Sequence, residues 1–368
     1  MDTMEEQLGV AVIGCGYWGI NYVRVMTELS GSRVVVICDQ RMERLREVGQ
    51  RFPNAKLTTD ISEALQTEGV AAAVVCTEAK SHHGVVRSCL EAGKHVLVEK
   101  PITTTASDAR DLIDLADANG VTLMVGHTFL YNPGVTKIKE YIRRGDLGRL
   151  YYLYARRTNL GPIRRDVNAL WDLAPHDISI FNYLLDSVPA WASAVGAKVL
   201  KNCREDVGFI SLGYPDNIVA HIHVSWADPN KVREAVIVGS NKRIVFSDLN
   251  TLEQVRVFEK GIAPVAAESE ISSYGEYQLQ IRDGDIVSPR IEVSEPLKNQ
   301  CIQFLECVAQ GTRPLTDGWA GEAVVRVMEA IDRSIESNGV PIAVAENLRP
   351  QESQIGEGEA EDGKQVAA

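Results

Sequence analysis

The sequence contains no Cys-x-x-Cys pair; its seven cysteines stand at 15, 38, 76, 89, 203, 301 and 307. That spacing argues against a structural zinc site, and several of these thiols lie inside apolar runs, where free cysteine behaves as a small hydrophobe. No apolar run reaches the roughly 18 to 20 residues that span a bilayer. The opening residues, Met1 to Gln7, carry acidic groups where a secretory leader needs basic ones. Basic residues are in deficit, 38 Lys and Arg against 50 Asp and Glu, which leaves a net charge of −12. A general attraction to nucleic acid or to an anionic membrane is not expected on that balance. No internal repeat is found. The expectation is a cytoplasmic protein with reduced thiols, no bound metal, a small-molecule ligand, and neither nucleic acid nor membrane as a partner.

What is present is a globular balance of 45% hydrophobic and 24% charged residues over 368 positions, a length that suits two domains. Leu8–Ile13, Arg33–Cys38, Val70–Cys76, His95–Val98 and Val121–Val125 read as buried strands rich in β-branched residues. Helical patterns alternate with them at Trp18–Leu29, Met42–Arg51, Val85–Ala92 and Ser107–Ala118. Strict alternation with tight connections predicts an α/β doubly wound parallel sheet of Rossmann type over 7–126.

The rhythm changes after Gly126. Helices are expected at Pro133–Arg144, Asp172–Leu185, Pro296–Ala309 and Ala320–Ser337, around a meander of strands from Ala190 to Phe258. Turn signals fall at Tyr214–Asn217, Ala227–Asn230 and Gly239–Lys242. Residues 127–347 thus read as an α+β domain with a large, mostly antiparallel sheet. From 348 to 368 the apolar period is lost and acids accumulate, so that tail is expected to be disordered.

Gly14-Cys15-Gly16-Tyr17-Trp18-Gly19 follows the first strand and opens a helix. In that context the first glycine permits a tight turn, the second lets backbone approach a pyrophosphate, and the third lets helix and strand pack. The helix N-terminus adds unpaired N–H groups for the phosphates. Asp39 ends the second strand, where a carboxylate accepts from the adenine ribose hydroxyls and repels a 2′-phosphate. NAD is favoured over NADP; Arg41 and Arg44 nearby are compatible with either. Lys100, in Glu99-Lys100-Pro101, stands at the carboxyl edge of the fifth strand, where ligands of such sheets sit. Asp172 and His176 are four apart and fit one helical face, although Asp172 also reads as a helix N-cap, with Pro175 in the first turn.

Taken together these motifs resemble the Gfo/Idh/MocA family of NAD(P)-dependent oxidoreductases from Leu8 to about Val344. The resemblance rests on the glycine loop, the T-x-x-x-x-H element Thr77–His82, the run from Ala92 to Pro101, Asn132-Pro133, Asp172-x-x-x-His176 and Glu295-Pro296-Leu297. It implies a second sheet whose open face builds dimers or tetramers, and catalysis by Lys100, Asp172 and His176. It also implies cofactor contacts from Gly14, Gly16, Tyr17, Trp18, Gly19, Asp39, Thr77, His82, Glu99 and Lys100. Glu78 departs from the family, which usually has proline after the threonine. His176, with an ordinary pKa near 6.5, suits a general base, Lys100 suits the developing alkoxide, and a depressed lysine pKa would exchange those two roles.

Arg156, Arg157, Arg164 and Arg165 place four arginines within ten positions. Arginine forks match phosphate and carboxylate, although pairing with the chain's many acids fits as well. The run Gly126–Val135, with Asn159-Leu160-Gly161 and Asp166–Asp172, resembles a nucleotide-sugar branch of the family that oxidises C3 of UDP-N-acetylglucosamine or its uronate. That branch makes a 3-keto sugar nucleotide for amino-sugar and cell-surface glycan synthesis. On this resemblance Tyr131, Asn132, Arg156, Arg157, Asn159, Arg164 and Arg165 are the substrate-side candidates. An inositol or free-sugar dehydrogenase, an NDP-ketosugar reductase and a non-catalytic NAD-binding regulator are the alternatives. His221 and His223 share a strand face without a third ligand and read as sheet-face residues.

Overall fold

The computed structural model describes residues 7–161, 163–164, 166–200, 203–262 and 281–345. The expected disordered tail therefore lies outside the described residues. Six parallel strands form the first sheet: β1 (Leu8–Ile13), β2 (Ser32–Cys38), β3 (Lys56–Thr58), β4 (Ala72–Val75), β5 (His95–Glu99) and β6 (Leu123–Gly126). Their order, β3-β2-β1-β4-β5-β6, is that of a Rossmann sheet, with the reversal point between β1 and β4. Helices α1 (Gly19–Glu28), α2 (Met42–Arg51), α3 (Ile61–Gln66), α4 (His82–Glu91) and α5 (Ala106–Asn119) connect them. Val10, Ala11, Val12, Val74, Val96 and Leu97 are fully buried, as near-continuous apolar runs in a two-sided sheet require. β3 and α3 have no counterpart in the apolar pattern. β3 is a three-residue edge strand with Lys56 and Leu57 exposed, so burial leaves no periodic mark on it.

The second sheet has nine strands in the order β16-β13-β12-β11-β7-β10-β9-β8-β17. They are β7 (Leu150–Leu160), β8 (Trp191–Ala197), β9 (Val207–Tyr214), β10 (Ile218–Ser225), β11 (Ala227–Gly239), β12 (Arg243–Ser247), β13 (Val255–Phe258), β16 (Ile286–Val287) and β17 (Ile342–Ala343). A separate pair joins β14 (Gly261–Ile262) to β15 (Ile281–Arg282). All neighbours in the large sheet run antiparallel except β7 and β10. One face, carrying Leu153, Ala155, Ile210, Ala220 and Ile222, is buried. It packs on helices that include α7 (Ala169–Leu185) and α9 (Gly318–Glu336). The other face presents Tyr152, Val195, Phe209 and Val219 to solvent. α6 (Pro133–Arg143) and α8 (Pro296–Gln310) complete the described helices.

Three expectations need correction here. β7 occupies a stretch for which no strand is expected; arginine stands on both of its faces, Arg156 exposed and Arg157 buried, which hides the alternation. The expected turn at Ala227–Asn230 is instead the irregular start of β11, where the register breaks between Ala227 and Val232 and Asn230 N–H donates to Asp228 Oδ1. Asp172 is not an N-cap: α7 starts three residues earlier, capped by Asn168, whose Oδ1 accepts from Trp171 N–H at 2.9 Å. Pro175 accordingly sits in the second turn.

The late helices pack back across the first sheet. Val125 N–H donates to Thr316 O at 2.7 Å, Arg110 pairs with the buried Glu322 of α9, and Arg24 of α1 reaches Glu295 at the start of α8. A cleft between the two sheets follows from this arrangement, with the carboxyl ends of β5 and β6 on one side and α7 on the other.

Candidate active site

The glycine loop shapes a groove at the carboxyl ends of β1, β2 and β4. Gly14 has φ +91°, and a Cβ there would lie 2.7 Å from Cys76 O, so only glycine fits. A Cβ on Gly19 would lie 1.8 Å from Gly14 O, whereas one on Gly16 would meet nothing within 4 Å and would project into open space. The groove encloses about 980 Å³ and is lined by Gly14, Gly16, Asp39, Thr77, Ser81 and Arg164, among others. Asp39 is buried at its mouth and accepts from Cys15 N–H, from Arg41 N–H and from two nitrogens of the Arg41 guanidinium. Burial pushes this carboxyl up, but the Arg41 side chain and the two backbone donors outweigh it and hold it below its ordinary range. The Arg41 side chain that covers Asp39 is itself 64% exposed. The open Gly16, the anionic Asp39 and the helix N-terminus fit a dinucleotide.

Next to this groove is a smaller cleft of about 310 Å³, lined by Trp18, Lys100, Phe129, His176, Arg233 and Asp248, among others. Lys100 is almost fully buried; its amine donates to Asp172 O at 2.8 Å and lies 3.4 Å from Asp172 Oδ1. Asp172 also accepts from Arg164 on Oδ1 and from Trp226 Nε1 on Oδ2, both at 3.2 Å. Burial pushes Asp172 up, and the charges of Lys100 and Arg164 pull it below its usual value, so it stays ionised. His176 is driven well below its ordinary pKa, first by burial and then by Lys100 and Arg157, and is therefore neutral at physiological pH. Its ring stands edge-on to Phe129 at 4.9 Å. Beneath Lys100, the buried Glu99 accepts from Tyr22 OH at 2.8 Å and from Lys100 N–H at 3.1 Å, and Gln300 donates to Tyr22. Lys100, distant in sequence, is thus brought to Asp172 and His176 of α7.

A model described as oxidoreductase family, NAD-binding Rossmann fold, for Gfo/Idh/MocA matches residues 8–127, and a model of the family's C-terminal domain matches 135–245. The chain belongs to the Gfo/Idh/MocA family. Its first domain is therefore an NAD-binding Rossmann fold. A D-apiose dehydrogenase of Paraburkholderia graminis is 27% identical over 235 residues, 61% of this chain and 62% of that protein. An inositol 2-dehydrogenase of Rhodococcus erythropolis is 32% identical over 186 residues, covering 50% and 54% of the two chains. The chain thus spans little more than half the length of these curated relatives. Among solved structures, UDP-N-acetylglucosamine 3-dehydrogenase GnnA from Acidithiobacillus ferrooxidans shares the fold, with a TM-score of 0.76 at 21% identity over 90% of this chain and 98% of that one.

Within this Gfo/Idh/MocA frame the remaining expected site residues separate. Gly14, Gly16, Asp39 and Thr77 line the cofactor groove, and Trp18 lines the cleft beside Lys100. Tyr17 is 81% exposed and meets Trp18 edge-on, outside both cavities. His82 is buried, with its ring nitrogens 2.7 Å from Pro101 O and 3.1 Å from Thr77 O. It therefore braces the backbone behind the groove rather than lining it. Glu78, the departure from the family pattern, also lines the groove.

On the substrate side the expected group is dispersed. Arg157 is locked in a buried bidentate pair with Asp177 at 2.8 and 2.9 Å. Arg156 is on the exposed face of the second sheet, level with Glu234 and His223 on neighbouring strands. Tyr131 OH is bonded to Gln303 and Thr316, and Asn132 caps α6 while donating to Asp248. Asn159 lies half-buried near the end of β7, folded over Gly161. Arg164 bridges Asp166 and Asp172 at the junction of groove and cleft. Arg165 lies outside the described residues. Arg233, Asp248, Phe129 and Trp226 line or brace the cleft and are not among the expected site residues. Phe129 lies within the Gly126–Val135 run after β6, whereas Trp226, Arg233 and Asp248 belong to no local motif and are brought to the cleft by β11 and its neighbours in the second sheet. His221 and His223 stack on Phe209 along the exposed face, at 6.3 and 4.5 Å.

Proposed function

We propose that this protein is an NAD-dependent dehydrogenase that oxidises a secondary hydroxyl of a sugar or polyol. The observation that carries the reading is the meeting of the Lys100 amine and the neutral His176 ring in one cleft that adjoins the dinucleotide groove. NAD, when bound, supplies the hydride acceptor. His176 holds a lone pair for the hydroxyl proton. Lys100 donates to the same oxygen and stabilises its developing negative charge. Asp172, fixed by Trp226 and Arg164, holds the amine in position. His176 is the base in this assignment, and Lys100 is the rival for that role.

More narrowly, we infer a nucleotide sugar such as UDP-N-acetylglucosamine, oxidised at C3 to the 3-keto sugar nucleotide. The runs Gly126–Val135, Asn159–Gly161 and Asp166–Asp172 support this, and Arg233, paired with Asp248 on the cleft wall, offers a guanidinium toward an anionic ligand. An inositol or free-sugar dehydrogenase is the second reading, favoured by the D-apiose and inositol dehydrogenases among the relatives. The working form is proposed as a dimer or tetramer assembled through the exposed face of the second sheet, with residues 7–126 and 127–347 as its two domains. Thermal stabilisation by UDP-, dTDP- and GDP-sugars, inositol and apiose, each with NAD present, tests the assignment. A ligand at a hundred times its dissociation constant adds about 2.7 kcal/mol. Stabilisation and turnover with inositol or apiose alone would replace the nucleotide-sugar reading by the second one.

A further inference from the structure

The face of α7 that brings His176 to the cleft does not end there. Ser179, Tyr183 and Asp186 continue it at helical spacing and line a second cavity of about 400 Å³, closed on its other side by residues of α9 that include Ala320. The partition between the two spaces is the chain leaving β6. Gly126 lines the cleft, and the next residue, His127, lines the second cavity. His127 is 1% exposed, and neither of its ring nitrogens has a partner in the protein. Nδ1 of His176 is likewise buried without one. Each such buried polar atom costs about 1–3 kcal/mol, which an apolar side chain at 127 would avoid. Burial and the charge of Lys100 act on both rings, and His127 is among the groups that lower His176.

We propose that His127 carries the proton collected by His176 away from the cleft and into the second cavity, so that alcohol oxidation releases its proton behind the site rather than past the bound substrate. The inference rests on the dehydrogenase reading above. In the step, the carbinol C–H bond breaks and its hydride reduces NAD, while the O–H bond breaks and its proton joins His176. His176 then gives the proton on Nδ1 through water to a lone pair of His127, since the two rings are not hydrogen-bonded to one another. His127, whose ring nitrogens are buried at the wall of the second cavity, in turn gives its other ring proton to water admitted from that cavity, and one ketone, one NADH and one solvent proton result. Burial and Lys100 push His127 down to about 3, so the ring is neutral at working pH and always offers one lone pair.

The test follows NADH absorbance and proton release to an indicator dye in the first turnover of the NAD-loaded protein, for wild type, His127→Phe and Ala320→Leu. The leucine narrows the second cavity with His127 intact, which covers the case in which the phenylalanine variant does not fold. Wild type is expected to release its proton in step with NADH. Both variants should form the first NADH at near wild-type rate, yet release the proton and turn over at least about tenfold more slowly. Proton release that keeps pace with NADH in a folded variant overturns the relay and leaves the dehydrogenase reading intact. If no alcohol yields NADH, that reading fails instead, and the relay is judged by exchange of the His176 ring N–H with water, read by NMR in NAD-bound protein. Exchange unchanged by both substitutions would reject it.

Discussion

Lys100 and His176 reach the same cleft from β5 and α7, seventy-six positions apart, and the groups around them decide their chemistry more than their own identity does. Lys100→Ala and His176→Ala are each expected to lower kcat by about 10²-fold or more while NAD affinity stays near wild type. Turnover and NAD titration on each variant check this, and near-wild-type turnover in both would remove the assignment. Arg157 has the opposite kind of role. Its guanidinium and the Asp177 carboxylate are both about 95% buried, so Arg157→Ala leaves a carboxylate without its cation. A loss of about 3–5 kcal/mol in stability is expected, against little change in KM for a folded variant, by denaturant titration and steady-state kinetics. The motif lysine, aspartate and histidine were legible because each sits where chain punctuation reveals the fold: a strand end before proline, or an i, i+4 pair in a helix. The arginine cluster could not be resolved between anion binding and pairing with acids, because sequence proximity says nothing about strand face. Arg156 and Arg157 are neighbours that point to opposite sides of one sheet.

α7 shows why spacing alone could not settle its own start. Asn168, Asp172 and Pro175 all carry helix-start signals, and the tertiary contacts choose among them. Asn168 takes the cap, which frees Asp172 to meet Lys100. The helix is tied to α9 by Trp171 Nε1, which donates to Asp332 at 2.8 Å. Burial, with Glu336, Glu205 and Glu329 nearby, pushes the Asp332 carboxyl up to about 6, against the partial relief that the Trp171 bond gives. Between about pH 4 and 6 the folded chain therefore holds a proton at Asp332 that the unfolded chain has lost, and stability falls as pH rises through that window. Once solvent screening is allowed for, the penalty above pH 6 is on the order of 1–2 kcal/mol. Asp332→Asn keeps the acceptor for Trp171 and removes the charge. Thermal midpoints should show the variant gaining on wild type at pH 7.5 and matching it at pH 4; a gain independent of pH would dismiss the buried acid as its cause.

At the scale of the whole molecule the two sheets differ in what their faces leave uncovered. The parallel sheet is buried on both sides, which made its strands readable as apolar runs; the nine-stranded sheet is buried on one side only. Its exposed face carries a row set by register, Glu234, Arg156, His223, Phe209 and Val195, with Tyr152 and Val219 further along the same face. Phe209 is 44% and Val195 51% exposed, and Phe209 stacks on His223, with no covering helix among the described residues. A contiguous face of this kind, apolar and aromatic at its centre and charged at its rim, suits a second copy of the same sheet packed face to face. Sequence patterning could not single it out, because an outward Phe or Val on a strand reads the same as an inward one until the register is known. Phe209→Glu combined with Val219→Glu puts carboxylates into any such face-to-face interface, where each must be desolvated without a cation, and neither residue lines the cleft. Light scattering on the eluting protein should give a dimer or tetramer mass for wild type and a monomer mass for the double variant at equal concentration. A wild-type mass equal to one chain would remove the assembly. An unchanged oligomer in the double variant would move its interface to another surface.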